Sequence, residues 1–322
     1  MLKYLIIPLA ANAVSFCRYE RNMSSSKVID IYNLKKIITW AMKENVNIQF
    51  LFPDEILPSE YADVINSVDH ISIVASTCSD NTIVADADII VFDDWNSITD
   101  FQFSPEKRYI IRTSKDDFFN HAPTLKLALS KANSVVVIIK DIDKFNETDF
   151  LRYKEFLESL VPFVADEIKN GRNLHFNLLT DRLSLTKMNN CGAADETLTY
   201  NVDGKFYICP AYCNVEENSS VGDLETGLDI KNPQLYKLGY APICRMCDAY
   251  QCHRCIWLNN KTTLEVNTPS HEQCVVSHIE RNASKMLLNE LKGYPGFDNL
   301  SDIKKISYLD PFDLIEIPCA HH

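Results

Sequence analysis

Seven cysteines in the C-terminal half of the chain have a spacing that suits metal binding. Four of them form two CxxC pairs that are separated by only four residues. A two-residue spacer lets a tight turn direct both thiolates of a pair towards one metal. The pattern therefore predicts ligands for two metal centres. The seven residues are Cys191, Cys209, Cys244, Cys247, Cys252, Cys255 and Cys274.

The composition bears on whether these cysteines are metal ligands or disulfides. The chain has 322 residues, of which 11 are cysteine, 46% are hydrophobic and 24% are charged. Disulfide scaffolds are typically short secreted chains, whereas a chain of this length can bury a large core without covalent cross-links. Metal ligation is the better interpretation. The composition also matches a soluble globular protein of about two domains.

The N-terminus and the net charge bear on location and partners. An apolar stretch over residues 4–14 contains Ala11-Asn12-Ala13, which resembles a signal-peptidase site. A single basic residue precedes it and Pro8 interrupts it, so we predict a cytoplasmic protein. No other stretch reaches the roughly 20 apolar residues of a membrane span. The net charge of −12, without a Lys/Arg block, argues against a nucleic-acid partner.

Apolar, β-branched runs alternate with helical patterns through the first half of the chain. This alternation predicts an α/β fold of parallel strands joined by right-handed crossovers, in a partial (β/α) TIM-like barrel or a doubly wound sheet. The predicted strands cover residues 4–9, 47–52, 70–75, 88–92, 108–112, 134–140 and 174–179, and the predicted helices 31–43, 59–67, 122–132 and 147–169.

The composition changes after Asp181, where cysteines and turn residues cluster. We therefore divide the chain into a barrel domain over 1–185, a cysteine-rich domain over 186–285 and a C-terminal tail over 286–322 that packs on them. Within the second domain, Asp203-Gly204 lies between β-rich arms, which is a strong hairpin signal. The hairpin would bring Cys191, ahead of one arm, close to Cys209, just past the other.

The full cysteine pattern resembles the SPASM domain of radical SAM peptide-modifying enzymes. Its first half fits completely, while its second half has spacers of four and two residues where the family usually has five and three. The resemblance implies one [4Fe-4S] cluster on Cys244, Cys247, Cys252 and Cys274, and a second on Cys191, Cys209 and Cys255. The second cluster has no obvious fourth ligand. Either Cys213 completes it, or the site stays open for a substrate thiol.

Radical SAM enzymes also carry a CxxxCxxC motif after the first strand, which binds the cluster that cleaves S-adenosylmethionine. Here the corresponding positions are Ala13, Cys17 and Glu20. The Gly-Gly-Glu-like motif after the second strand is replaced by Phe52-Pro53-Asp54-Glu55, and close backbone approach needs glycine. The chain thus resembles a degenerate radical SAM/SPASM protein, most like the maturases of CXXX-repeat peptides. S-adenosylmethionine cleavage is not expected.

Four functional hypotheses follow. The first is a maturation protein for a ribosomally synthesised, cysteine-containing precursor peptide, with two [4Fe-4S] clusters and with a modifying enzyme or an electron donor as a further partner. The second is a divergent active radical SAM enzyme. The third is a zinc-binding interaction module, because zinc needs the same thiolates. The fourth is a secreted disulfide protein.

A few further residues carry weaker predictions. His253 and His271 lie near the cysteines, but we expect them to be solvent-facing or to support the ligands rather than to bind metal. Cys319 is an alternative source of a missing ligand. In the tail, Phe312 and Leu314 are the predicted anchors.

Overall fold

The computed structural model describes residues 2–214, 219–297, 300 and 302–314. Within these residues, nine strands form one sheet whose order is β7-β6-β5-β4-β3-β2-β1-β8-β9. All neighbours pair in parallel except β8 and β9. The strands are β1 (Tyr4–Pro8), β2 (Asn47–Leu51), β3 (His70–Ala75), β4 (Ile89–Phe92), β5 (Arg108–Thr113), β6 (Ser134–Ile139), β7 (His175–Phe176), β8 (Thr197–Tyr200) and β9 (Phe206–Tyr207).

Helices cover the outer face of this sheet and continue into the cysteine-rich region. They are α1 (Ile31–Lys43), α2 (Ser59–Ile65), α3 (Asn81–Asp86), α4 (Asn96–Thr99), α5 (Lys115–Asn120), α6 (Ala122–Lys131), α7 (Glu147–Lys169), α8 (Asp181–Ser184), α9 (Ile256–Thr263) and α10 (His271–Glu290). A small ribbon pairs β10 (Gly222–Asp223) with β11 (Gly227–Leu228). Among the described residues, none of the helices combines the length and hydrophobicity that a membrane span requires.

The strand order decides between the two predicted architectures. From β1 to β7 each new strand is added beside the previous one, without the reversal that defines a doubly wound sheet. Progressive addition of parallel strands is how a (β/α) barrel is built. The chain therefore forms a partial barrel, followed by the cysteine-rich region.

The strands are buried on both faces, as parallel strands in a barrel must be. In β1, Leu5 and Ile7 share one core with Leu34 and Ile37 of α1. Ile6, between them, belongs to a separate inner core. That inner core consists of Ile6, Ala13, Val14, Leu51, Ile73, Ala75, Val91, Ile110 and Ile138.

Strand β7 is shorter than predicted because a side chain takes over its hydrogen bonds. The Asn177 amide donates to the Val137 carbonyl at 3.0 Å, and its Oδ1 accepts from the Val137 N–H at 2.8 Å. The Thr180 hydroxyl accepts from the Phe176 N–H at 2.7 Å. Since these groups replace main-chain pairing, the chain leaves the sheet at residue 177.

The predicted hairpin is confirmed. Strands β8 and β9 pair antiparallel, with Thr199 opposite Tyr207. Gly204 has a φ of 82°, a left-handed conformation that favours glycine in the turn. Helix α10, which was not among the predicted helices, packs along α7 and joins the cysteine-rich region to the barrel. Its signals were the Ser270 cap, which accepts from the Gln273 N–H, and apolar residues at helical spacing.

Candidate metal centres

The first group of thiols is Cys244, Cys247, Cys252 and Cys274. A 3₁₀ turn over Cys244–Met246 presents the first CxxC pair, and the Cys247 N–H donates to the Cys244 carbonyl at 3.2 Å. Cys274 lies in the first turn of α10 and is buried. The pKa of Cys244 is raised to about 12, mainly by burial, with smaller contributions from the Cys252 and Cys247 thiols. Burial also raises the pKa of Cys274, to which Cys252, Cys244 and Cys247 all contribute.

The second group contains Cys191, Cys209 and Cys255. The Cys191 N–H donates to the His253 carbonyl at 3.3 Å, which places it beside the second CxxC pair. Cys191 is exposed as a residue, yet the pKa of its thiol is raised to about 11, mainly because protein surrounds the sulfur and in part because Cys255 lies near it. Burial raises the pKa of Cys209 well above its usual range, with further contributions from Cys255, Cys191 and Cys17.

These are the two sets of cysteines that the resemblance to the SPASM domain implies. Each group combines thiols from segments that are far apart in the chain, so the fold itself assembles them. Thiols with raised pKa values are neutral at pH 7. Several thiolates can lie close together inside a protein only if a cation compensates their charges. The ten cysteines in the described part of the chain are all free thiols. The donor sets therefore fit metal centres that bind thiolates.

Arg254 provides an independent sign that anionic groups belong here. It stands between Cys252 and Cys255 with a φ of 44° and is 1% exposed. Its charge interacts with Cys244, Cys191 and Cys252, which span both groups. Its Nη1 is buried and, within the described residues, has no hydrogen-bond partner. Because a buried unpaired donor is costly, an anionic cluster between the thiols would supply what this guanidinium lacks.

Main-chain donors and one histidine surround the first group. The Ala249 N–H donates to the Cys247 sulfur at 3.4 Å, and the Arg254 N–H to the Cys252 sulfur at 3.5 Å. N–H donors to sulfur are a means by which proteins tune cluster potentials. His278 Nδ1 lies 2.6 Å from the Leu309 carbonyl, and its Nε2 lies 3.5 Å from the Cys247 sulfur. Sequence reasoning missed His278, although it follows Cys274 by one helical turn.

The geometry also bears on the choice between zinc and iron-sulfur clusters. A zinc ion requires its ligands to converge on one point about 2.3 Å from each sulfur. Within residues 2–214, 219–297, 300 and 302–314, no three His, Cys, Asp or Glu side chains converge in that way. The thiols of each group nonetheless interact electrostatically. The thiols of each group are thus near one another without forming a closed single-ion site.

The positions of the degenerate motif have three different surroundings. Ala13 is 7% exposed and packs in the inner core of the barrel with Val14 and Ile6. Glu20 lies 3.1 Å from Lys140 and 3.4 Å from Arg112. Partial burial alone would raise the pKa of Glu20, but these two cations hold it below its usual value. Cys17, in contrast, interacts with Cys255 and Cys191 of the second group.

Ion pairs occupy the edge of the barrel where the strands end. Arg112, which is 1% exposed, pairs with Asp93 as well as with Glu20. Arg21 lies 2.9 Å from Asp54 and 3.1 Å from Asp93. Asp54 belongs to the segment after β2 that replaces the Gly-Gly-Glu-like motif. These basic and acidic side chains pair with one another, so their charges compensate at this edge of the barrel.

The remaining predicted residues lie apart from the two groups. Cys213 lines a cavity of about 20 Å³ together with Ala13 and Tyr19. Burial raises its pKa, and the further contribution comes from Asp203 rather than from another cysteine. Cys319 falls outside the described residues.

The two histidines each have a different place. His253 lines the cavity between the barrel and α10, where burial lowers its pKa. His271 Nδ1 lies 2.5 Å from the Asp310 carboxylate. The predicted tail anchors are wrong: Phe312 is 39% and Leu314 58% exposed. Asp310, two residues before Phe312, is buried instead, because its carboxylate contacts His271 of α10. Ile303 is buried as well.

Solved structures share this arrangement of strands and helices. The native anSMEcpe with bound AdoMet and Cp18Cys peptide matches with a TM-score of 0.59 and 12% identity, covering 90% of this chain and 99% of that chain. The chain shares the fold of anSMEcpe. The same protein with bound AdoMet and Kp18Cys peptide gives a TM-score of 0.60 at 14% identity, again covering 90% and 99% of the two chains.

A more partial likeness links the chain to SuiB of Streptococcus suis, bound to its precursor peptide SuiA. That match has a TM-score of 0.41 and 13% identity, and covers 68% of this chain and 62% of SuiB. No family model matches the sequence, and no curated protein matches it. Identities this low establish the fold alone, which is the partial (β/α) TIM-like barrel predicted from the sequence.

Proposed function

We propose that the protein binds two [4Fe-4S] clusters in a SPASM-type domain and acts in the maturation of a ribosomally synthesised, cysteine-containing peptide. The observation that carries the proposal is the assembly of two groups of thiols, Cys244/Cys247/Cys252/Cys274 and Cys191/Cys209/Cys255, with the buried guanidinium of Arg254 beside members of both. When bound, such clusters supply one-electron transfer or structural bracing.

The barrel supports a role without S-adenosylmethionine cleavage. A site-differentiated cluster needs three thiolates at its motif, and this chain offers one, at Cys17. Ala13 contributes to the inner core, and Glu20 is committed to Lys140 and Arg112. The ion pairs of Arg21 and Arg112 occupy the same edge of the barrel. The proposed protein is therefore a partner in modification rather than the enzyme that starts the radical reaction.

The peptide partner rests on the fold and on the thiol chemistry. Two solved structures of this fold carry bound peptides with cysteine in their names. We propose that this chain likewise takes an extended, cysteine-containing precursor peptide, and that a modifying enzyme or electron donor completes the system. The resemblance to the maturases of CXXX-repeat peptides makes repeated cysteines the preferred chemistry.

The second candidate is a zinc-binding interaction module. The two CxxC pairs favour it, because four free thiolates within one short segment are the usual ligands of structural zinc. Each metal centre would then hold a single zinc ion in place of an iron-sulfur cluster, and the protein would have no redox role.

Metal and sulfide analysis of anaerobically purified protein, with an absorption spectrum, tests the proposal. We expect about eight irons with matching sulfide, and about four in the Cys244→Ala/Cys247→Ala variant. One or two zincs without sulfide would support the second candidate instead. More than eight irons would indicate a third cluster and an active radical enzyme.

Peptide binding is tested separately, by anaerobic fluorescence anisotropy with a labelled peptide of CXXX repeats. The matched control is the same peptide with serine in place of cysteine. Tighter binding of the cysteine peptide is expected, and equal binding of both would remove the thiol from the proposal.

A further inference from the structure

We propose that Cys17 is the fourth ligand of the cluster held by Cys191, Cys209 and Cys255. The one cysteine that remains in the degenerate CxxxCxxC motif would thereby serve the cluster of the second domain. This inference rests on the proposed function, since it assigns a ligand to one of its two clusters.

The main chain around Cys17 is held firmly. Arg112 Nε donates to the Cys17 carbonyl at 2.7 Å, and its Nη2 donates to the Tyr19 carbonyl at 2.6 Å. The Ser15 hydroxyl donates to the same Tyr19 carbonyl at 2.6 Å. Ser15 and Arg112 are both almost completely buried. The position of Cys17 is therefore set by the barrel rather than by a loose loop, as a ligand position should be.

The same loop and the segment that carries the second CxxC pair line one small cavity. Arg18, next to Cys17, donates to the Ile139 carbonyl at 3.2 Å. It lines a cavity of about 30 Å³ together with the segment 251–254, which immediately precedes Cys255. The Cys191 N–H donates to the His253 carbonyl of that segment. Cys17 and Cys255 are thus next in the chain to residues that line this cavity, and Cys191 is hydrogen-bonded to one of those residues.

The electrostatic interactions agree with this placement. Cys17 interacts electrostatically with Cys255 and with Cys191. Cys209 in turn interacts with Cys255, Cys191 and Cys17. Four thiols from four separate segments therefore form one group, and four thiolates are the usual ligand set of a [4Fe-4S] cluster.

Cys213 is the competing candidate, and its surroundings differ. It faces the small cavity lined by Ala13 and Tyr19, and the charged groups that interact with it are Asp203 and the Tyr19 and Tyr207 phenols. The interactions of Cys17, Cys191 and Cys209 given above do not include it.

A fourth thiolate changes what this cluster can do. Every iron would carry a protein ligand, so none would remain open for a substrate thiol. The cluster would also join the barrel to the cysteine-rich region through Cys17. Electron transfer or bracing, and not capture of the peptide sulfur, would be its role.

The test isolates the cluster in a Cys244→Ala/Cys247→Ala background and counts iron and sulfide after anaerobic reconstitution. The parent should hold about four irons. Adding Cys17→Ala should remove the cluster, or leave one that loses an iron on mild oxidation and gives the electron paramagnetic resonance signal of a three-iron cluster. Circular dichroism checks that the variants fold.

Two matched variants complete the design. Cys78→Ala removes a buried thiol whose sulfur instead lies 3.7 Å from the Pro53 carbonyl, and it should leave about four irons. Cys213→Ala should do the same. An oxidation-stable cluster of about four irons in the Cys17→Ala variant overturns the inference, as does loss of the cluster in the Cys213→Ala variant.

If Cys17→Ala does not fold, Cys17→Ser decides. Serine keeps the side-chain size and offers oxygen, so the resonance spectrum of the reduced cluster should change, whereas an unchanged spectrum overturns the inference. The proposed function fails in a different way, because the protein with all its cysteines would then contain no iron and no sulfide.

Discussion

Glu280 offers the sharpest quantitative prediction, because its carboxyl group is buried between the barrel and α10. The Tyr153 hydroxyl donates to Glu280 Oε1 at 2.8 Å, and Gln251 Nε2 donates to Oε2 at 3.4 Å. Burial raises the pKa of Glu280 from 4.5 to about 7, although both hydrogen bonds and the charge of Arg18 oppose the rise and Asp181 adds slightly to it. We predict that Glu280→Gln stabilises the protein at alkaline pH.

The magnitude follows from linkage between protonation and folding. In the unfolded chain the carboxyl ionises near pH 4.5, whereas in the folded chain it keeps its proton until about pH 7. Its contribution to stability is therefore fully present below pH 4.5 and is lost as the pH rises to about 7. The difference corresponds to about 3 kcal/mol above pH 7. Glutamine does not ionise, and its side-chain oxygen can still accept from Tyr153.

The assay is anaerobic guanidinium unfolding of wild type and variant at pH 5 and pH 8. The advantage of Glu280→Gln should be larger at pH 8 by about 2–3 kcal/mol. Glu290→Gln, on the exposed end of the same helix, is the matched control and should show no such change. An advantage that is the same at both pH values would refute the buried, protonated carboxyl.

Three further predictions concern the metal centres. Arg254→Met should shorten the retention of iron under a chelator several-fold relative to the exposed control Arg245→Met, because a buried cation beside both thiol groups is lost. Iron loading should release protons, which an indicator dye measures, because thiols with raised pKa values are protonated before they bind metal. For the same reason iron retention should weaken from pH 8 to pH 6. Iron loading without proton release would contradict this prediction. Ala13→Cys/Glu20→Cys restores the motif, yet the iron content should stay at about eight, because Cys17 serves the other cluster; about twelve irons would contradict it.

Much of the fold could be predicted because its signals are local. Runs such as residues 70–75 and 134–140 are apolar over a strand's length, and helical spacing marks 31–43 and 147–169. The structure has strands and helices at these places with small changes at the ends. The turn at Gly204 could also be predicted, because glycine readily adopts the positive φ that this turn requires.

The ends of elements depend on groups elsewhere in the chain. Strand β7 ends at Phe176 because the Asn177 amide binds Val137 on the neighbouring strand, a contact that no pattern around residue 177 reveals. The tail anchors were misassigned for the same reason. Hydrophobicity pointed to Phe312, whereas the contact of Asp310 with His271 of α10 decided which residues were buried.

The sequence by itself determined which chemistry to expect, since the number and spacing of the cysteines predict thiolate ligands and the family resemblance implies their division into two sets. Only the tertiary structure decided which further groups meet them, because proximity between segments distant in the chain follows from how α10 and the second CxxC segment pack on the barrel. Cys17 stands alone in its motif, and packing places it where it interacts electrostatically with Cys191 and Cys255. No motif marks Arg254 or Glu280 in the sequence, and it is burial that leaves one with an unpaired donor and gives the other a raised pKa.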